Sequence, residues 1–155
     1  MKDEFVEQEY NETVVEIKRV SKKTKGGNQM RFTALVVVGD NQGKVGVHLS
    51  KSKDVRSAVQ KAFKHAKTHM IHAPLKGTTI PFEVRAKFGA AKILLKPAPK
   101  GSGIIAGGPM RVVLEAAGIH DVVGKILGTN NKTSNVYATV EALKDLAKLE
   151  ERKTK

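Results

Sequence analysis

From Thr13 the chain alternates loosely between β-branched and polar residues (TVVEIKRV), the two-residue period of a strand with one face covered. The pattern breaks at SKKTKGGNQ (21–29), a stretch with no apolar side chain, which predicts a hairpin loop. Met30–Gly39 (MRFTALVVVG) is the most apolar run and predicts a central strand. Asp40-Asn41-Gln42-Gly43 supplies turn chemistry for a reversal, and Lys44–Leu49 returns as a third strand. The period then lengthens. Val55, Ala58, Val59, Ala62, Phe63, Ala66 and Met70 recur at helical spacing, which predicts an amphipathic helix opening near Ser50 or Ser52. Lys53, Arg56, Lys64 and Lys67 fall within a narrow arc on its opposite side.

Ala73-Pro74-Leu75-Lys76-Gly77 reads as a linker and places a domain boundary. Beyond it, Thr79–Phe88 and Lys92–Lys96 predict a hairpin turning at Gly89. A glycine-rich stretch, KPAPKGSGIIAGGPMR (96–111), leads into a helix with Met110, Val113, Leu114 and Ala117 on one face and Gly118 as its stop. Pro109 suits the first turn of that helix, where its missing N–H costs nothing. Ile119–Leu127 predicts a strand by β-branching, although so short a run also fits a helix. Gly128–Asn135 is a polar loop. Tyr137, Val140, Leu143, Leu146 and Ala147 then predict a last amphipathic helix, capped by Ser134 or Asn135. The fold class is therefore α+β in two small modules. A three-stranded sheet with one helix occupies 13–73, and a β-β-α-β-α module occupies 78–147. Residues 1–12, which are acidic, and 148–155 are expected as frayed tails.

Charge narrows what such a fold is for. Lys plus Arg is 28 against 15 Asp plus Glu, a net charge of +13, with an isoelectric point near 10. Residues 1–12 hold five of those acids and one base, so the remainder is more cationic than the average suggests. Between Lys18 and Lys100, nineteen Lys/Arg face three acids, Asp40, Asp54 and Glu83. A field of that sign favours nucleic acid or an anionic membrane. No apolar run approaches the ~20 residues of a membrane span, and the N-terminus is not signal-like, so nucleic acid is preferred. The absence of cysteine excludes a disulfide framework, a thiolate metal site and a cysteine nucleophile. With no Trp, five Phe and two Tyr, stacking platforms for single strands are scarce. That shifts the expected ligand to folded RNA read through its backbone and shape.

Several regions carry the candidate chemistry. Lys22, Lys23 and Lys25, with Gly26 and Gly27 at the tip and Arg19 and Arg31 beside them, would project a cationic finger into an RNA groove; a solvated charge run is the bland alternative. Lys53, Arg56 and Lys64 give the first helix a basic face. Lys100, Gly101, Ser102, Gly103, Gly107, Gly108 and Arg111 bring backbone N–H groups and a helix N-terminus to one place, a geometry for phosphate. In the second polar loop, Thr129, Asn130 and Asn135 allow close backbone approach and Lys132 adds charge.

Two nucleotide motifs come near the glycine stretch. A phosphate loop ending in Gly-Lys-Ser/Thr does not fit, because Pro109 and Met110 follow Gly107-Gly108. The dinucleotide pattern is closer: Gly101-x-Gly103-x-x-Ala106, with Asp121 twenty positions after Gly101. However, Pro97 and Pro99 separate those glycines from the strand, and the helix starts late. His65, His69 and His72 are spaced to put three imidazoles on one flank of the first helix. Ala66 stands where a zinc protease carries glutamate and the surrounding lysines repel a cation, so no metal is expected. No cofactor and no catalytic set is predicted.

The order of these features resembles one family. KGGxxxRFTALVVVGDxxGKVG, then GSGIIAGGPMRVVLEAAGI, then a Gly-Thr-Asn-x-x-x-x-Asn loop closely resemble the fifth protein of the small ribosomal subunit, bacterial type, over about residues 13–147. The resemblance implies an N-terminal half similar to a double-stranded-RNA-binding domain and a C-terminal β-α-β-α half. It implies a non-enzymatic, cytoplasmic structural constituent of the small subunit. It further implies binding to small-subunit ribosomal RNA, beside the fourth and eighth small-subunit proteins near the messenger entry channel. Roles in assembly, in opening messenger RNA structure and in decoding accuracy come with it. In that family the loop matching Lys22–Asn28 lies near the subunit neck, where spectinomycin binds. Val47–Ser52 replaces the family's usual Gly-aromatic-Gly-Lys-Ala run, with Lys51 at the expected lysine. Losing two small residues keeps the backbone there further from a neighbour. A nucleotide-binding enzyme using the Gly101–Gly108 loop, and a free-standing double-stranded-RNA binder using 13–73 alone, are the alternative readings.

Overall fold

A long antiparallel hairpin opens the fold. In the computed structural model, which describes residues 10–153, β1 (Asn11–Thr24) pairs along its length with β2 (Gly27–Gly39). Asn11 and Glu12 lie opposite Gly39 and Val38 and Tyr10 packs against the cluster of Val36, Val38, Ala62 and Ala66, so these three belong to the fold and not to a tail; the rest of the expected tail, 1–9, lies outside the described residues. β3 (Lys44–Ser52) pairs with β2 from Gly39 back to Phe32. Ser50 and Ser52, expected at a helix start, are held in that ladder opposite Ala34 and Phe32. The helix α1 (Val55–Thr68) opens only after Asp54. β4 (Ile71–His72) adds a fourth strand against Val45 and Lys44, giving the order β1-β2-β3-β4 where three strands were expected.

Because strand side chains alternate, β2 feeds two cores. Val36 and Val38 pack with Ala62 and Ala66, part of the buried stripe of α1. Leu35 and Val37, with Val45 of β3, join the second half of the chain instead.

That half runs β5 (Val84–Phe88), β6 (Ala91–Pro97), β7 (Ile104–Ile105), α2 (Gly108–Ala116), β8 (Val122–Ile126) and α3 (Lys132–Lys153). Its sheet has the order β5-β6-β8-β7, with β7 parallel to β8. The expected hairpin starts later than Thr79, since 79–83 pass Pro81 outside any strand, while Ile119–Leu127 resolves as a strand. The cap of α3 is Asn131, whose Oδ1 accepts the N–H of Thr133 at 3.0 Å and of Ser134 at 3.5 Å. Ser134 and Asn135 are already inside the helix. At its other end α3 continues to Lys153, through the expected tail, because KLEERK contains good helix formers and no breaker.

The two helices α2 and α3 lie between the sheets. Ile93, Leu95 and Val122 of the second sheet, Met110 and Leu114 of α2, and Leu143 and Leu146 of α3 form one core with Leu35, Val37 and Val45 of the first sheet. The layers are thus α1, first sheet, α2 with α3, second sheet. Tyr137 of α3 spans the middle layer. Its ring stacks on Phe88 of β5 at 5.3 Å, and it is hydrogen-bonded to the backbone of Leu49 in β3. Burial pushes its pKa up, against the effect of that bond.

The halves also interlock through backbone. The N–H of Asn41 donates to the carbonyl of Ala116 at 3.1 Å and that of Gly43 to Ala117 at 2.8 Å, so the β2–β3 turn satisfies orphan carbonyls at the end of α2. The approach depends on two glycines. A Cβ on Gly39 would lie 2.0 Å from the Ala116 carbonyl oxygen, and one on Gly118, at φ +86°, 2.2 Å from that of Asn41. The segment read as a linker is packed, with Ala73 and Pro74 buried. Just beyond it, the Thr78 carbonyl accepts the N–H groups of His120 and Asp121, both at 2.9 Å.

Candidate nucleic-acid interface

β3 leaves β2 at Phe32, so the five pairs from Val20↔Arg31 to Thr24↔Gly27 stand as a two-stranded ribbon. At ~3.3 Å per residue this projects roughly 17 Å beyond the sheet. Lys25 and Gly26 form the turn, closed by the Thr24 hydroxyl donating to the Gly27 carbonyl at 2.8 Å. Register places Arg19 and Lys23 on the α1 side and Lys18 and Arg31 on the other, while Lys22 stands opposite Gln29 in the ladder. Lys51 pairs with Thr33, which pairs in turn with Lys18, so Lys51 joins Arg31 at the ribbon's base. No acid occurs between Glu16 and Asp40. Lys18 is paired with Glu16 at 3.2 Å, and the Arg19 guanidinium lies against the Met30 sulfur. Lys53 precedes α1, whose outer face carries exposed Arg56 and Lys64; Lys67 is drawn aside to Glu12 and the Tyr10 ring.

The glycine stretch does not converge on one place. β7 divides it, with Gly101–Gly103 before and Gly107–Gly108 after. Asp121, 4% exposed, accepts the N–H groups of Gly101 at 3.1 Å and Gly103 at 2.9 Å, and Ser102 N–H donates to the Pro99 carbonyl at 3.1 Å. A hydrogen bond from the Thr78 side chain, then the Gly103 N–H, hold the Asp121 carboxyl below its ordinary 3.8, against the opposing effect of burial. A carboxylate of this chain therefore occupies the position a phosphate would take. That corrects the reading of these N–H groups as phosphate donors and removes the geometric basis of the dinucleotide alternative. Lys100 and Ser102 remain exposed at the rim. Gly107 and Gly108 open α2 at the far end of β8, beside Ile126, and Arg111 is exposed but paired with Glu115 at 3.0 Å.

The second loop follows β8. Asn130 and Lys132 are exposed there. Asn135, 1% exposed, instead donates from Nδ2 to the Thr129 carbonyl at 3.1 Å, and the Thr129 hydroxyl accepts the Asn131 N–H at 3.2 Å. Thr129 and Asn135 shape the loop, so Asn135 is a support and not a contact residue. The three histidines are also dispersed. His65 is on α1, His69 follows its end and His72 lies in β4. The His65 ring sits 4.8 Å from His48 of β3, whose pKa is lowered by burial first and then by the charges of His65, His69 and Lys61.

Comparison with protein families supplies the remaining finding. A family model described as ribosomal protein S5, N-terminal domain, matches residues 10–74, and one described as ribosomal protein S5, C-terminal domain, matches 86–155. The chain belongs to the ribosomal protein S5 family. S5 proteins are structural components of the small ribosomal subunit, non-enzymatic and associated with the ribosome in the cytoplasm. No helix among the described residues is long and apolar enough to cross a membrane. The S5 assignment fits the α+β class in two modules. Sequence reasoning missed two features of this S5 chain: Asp121 as the anchor of the glycine loop, and five cations on the outer face of the second sheet. The first had a signal, an acid twenty positions after Gly101, attributed to the wrong partner.

Proposed function

We propose that this S5-family chain binds small-subunit ribosomal RNA through the β1–β2 ribbon, through Lys51, Lys53, Arg56 and Lys64 behind it, and through the exposed Lys100, Ser102, Gly107, Gly108, Arg111, Asn130 and Lys132 of the second half. The observation that carries the reading is the ribbon itself. It is a narrow, free-standing projection bearing Lys23, Lys25 and Arg31, with Arg19 at its base and no acid on either strand beyond Glu16. Cations on such a ribbon would neutralise phosphates and release counterions, the sequence-independent source of affinity for a nucleic-acid backbone. Residues 13–73 act as a double-stranded-RNA-binding-like unit and 78–147 as a second unit. Because one core joins them, RNA helices bound to each are held at a set angle. The family resemblance supports a position beside the fourth and eighth small-subunit proteins at the messenger entry channel, where the same basic surface would contact messenger RNA and support decoding accuracy.

The test is co-sedimentation of the full chain with small subunits of its own cell across a salt series. Stoichiometric retention is expected. K23Q/K25Q should lower the slope of log affinity against log salt by roughly 0.7–0.9 per lost phosphate contact. An unchanged slope removes the ribbon from the interface, and release of the wild-type chain at low salt removes ribosomal RNA as its ligand. For the messenger part, charge reversal at Arg56 and Lys64 that leaves unwinding of structured messengers untouched would count against it.

A further inference from the structure

The second sheet is covered by α2 and α3 on one face only. Register assigns the other face, on which three rows of side chains lie side by side. Lys87 stands next to Lys92; Arg85, Leu94 and Lys125 form the next row; Lys96, Val123 and Ile105 form the third. Leu94 belongs to neither core yet is only 8% exposed, as expected where long cationic side chains lay their stems over an apolar neighbour. A hollow of about 150 Å³ lies between Leu94, Lys96, Val123 and Lys125. The paired positions of this face bear five Lys/Arg and no acid. The acid nearest along the strand, Glu83, precedes β5 and shares a hollow at that edge of the sheet with Arg85 of this face and with Asp145 and Lys148 of α3, so Lys87, Lys92, Lys96 and Lys125 form the acid-free part of the patch.

The geometry points to this face as a further RNA-contact surface, distinct from the ribbon, from α1 and from the loops of the second half, that takes the phosphate–sugar backbone of folded RNA. The inference rests on the ribosomal-RNA reading above. The five cations lie on three strands ~4.8 Å apart and in three rows ~6.8 Å apart, a patch of roughly 10 by 14 Å. Charges that close repel one another, and a polyanion relieves the repulsion. Lysine is depleted and aromatic side chains are enriched at the centres of protein–protein interfaces, the reverse of this composition. The face carries no aromatic ring on which an unpaired base would stack, so backbone contact to folded RNA is favoured over capture of a single strand.

The test compares wild type, R85Q/K92Q/K125Q and the ribbon variant K23Q/K25Q, all as full chains, on small-subunit ribosomal RNA. The sheet variant is expected to melt with the wild type and to lose roughly 2–3 from the salt slope. Independently of any variant, Lys87, Lys92, Lys96 and Lys125 of the wild type should be protected from amine acetylation in the complex. An unchanged slope and unprotected lysines, with the ribbon variant still weakened, overturn the inference and leave the proposed function standing. Wild type that fails to bind the RNA overturns both. Protection on intact small subunits but not on RNA alone assigns the face to an acidic protein surface, and also overturns the inference.

Discussion

Replacing Gly39 by alanine probes the interlock between the two halves. Gly39 is not among the residues with positive φ, so alanine costs nothing in backbone conformation there. The cost comes from contact. The new Cβ would sit 2.0 Å from the Ala116 carbonyl oxygen and 2.4 Å from its carbon, and both atoms are backbone at the end of a packed helix. Relief requires the β2–β3 turn and α2 to separate by more than an ångström. That movement weakens the Asn41–Ala116 and Gly43–Ala117 hydrogen bonds of 3.1 and 2.8 Å. Overpacking of this kind costs about 1–3 kcal/mol, and each bond about 1 kcal/mol. The lost flexibility of the unfolded chain returns about 0.5–1 kcal/mol. The expected net destabilisation is about 2–4 kcal/mol, a fall in Tm of roughly 4–16 °C for a chain of this size. Urea and thermal unfolding of the full chain measure it, with Gly26→Ala as the control, because nothing lies within 4 Å of a Cβ there. A Gly39→Ala protein as stable as the control would refute the interlock.

Asp121→Ala should free the Gly101 and Gly103 amides, read as faster hydrogen exchange at both positions. The Asp121 carboxyl is depressed below 3.8 in the fold, so its stabilisation is fully present above that value and is lost as pH falls through the folded pKa. Wild type and variant should therefore converge in acid, and curves that stay parallel would contradict this. His48 is likewise held below 6.5, so the folded state resists its protonation and stability declines as pH drops from 6.5 through the folded pKa. His48→Gln should flatten that decline, and an unaltered pH profile would show the histidine is not its source. Asn135→Ala should cost about 1–2 kcal/mol in urea unfolding by stranding the Thr129 carbonyl, and should raise amide exchange at 129–131. Unchanged exchange would mean the loop holds itself.

The elements legible in the sequence were those whose own pattern determines them. MRFTALVVVG announces a buried strand, and the alanine stripe of α1 announces its covered face. β4 and β7 were not legible because two residues carry no period; they exist through pairing with Val45 and Val122. The helix start at Ser50 failed for a similar reason, since the ladder with β2 outweighs a local capping preference. Glycines in 101–108 show that backbone is available but not what it faces, and Asp121 is brought to it by the chain's return in β8. The cationic sheet face was hidden by its ordinariness. Arg85 and Lys87, or Lys92 and Lys96, read singly as the solvent side of a strand. Only the pairing of β6 with β8 across α2 sets Lys125 beside them.

The sharing of α2 and α3 between two sheets has a consequence for how the protein is made. Leu35, Val37 and Val45 leave the synthesising ribosome well before part of the surface that covers them, including Leu143 and Leu146. About a hundred residues intervene. At translation rates of ~5–20 residues per second, that apolar face waits roughly 5–20 s for its cover. The first module of the nascent chain can settle α1 on one side of its sheet while the other stays wet. Completion waits for α3, and a nascent chain is a client for whatever shields bare sheet surface until that helix arrives.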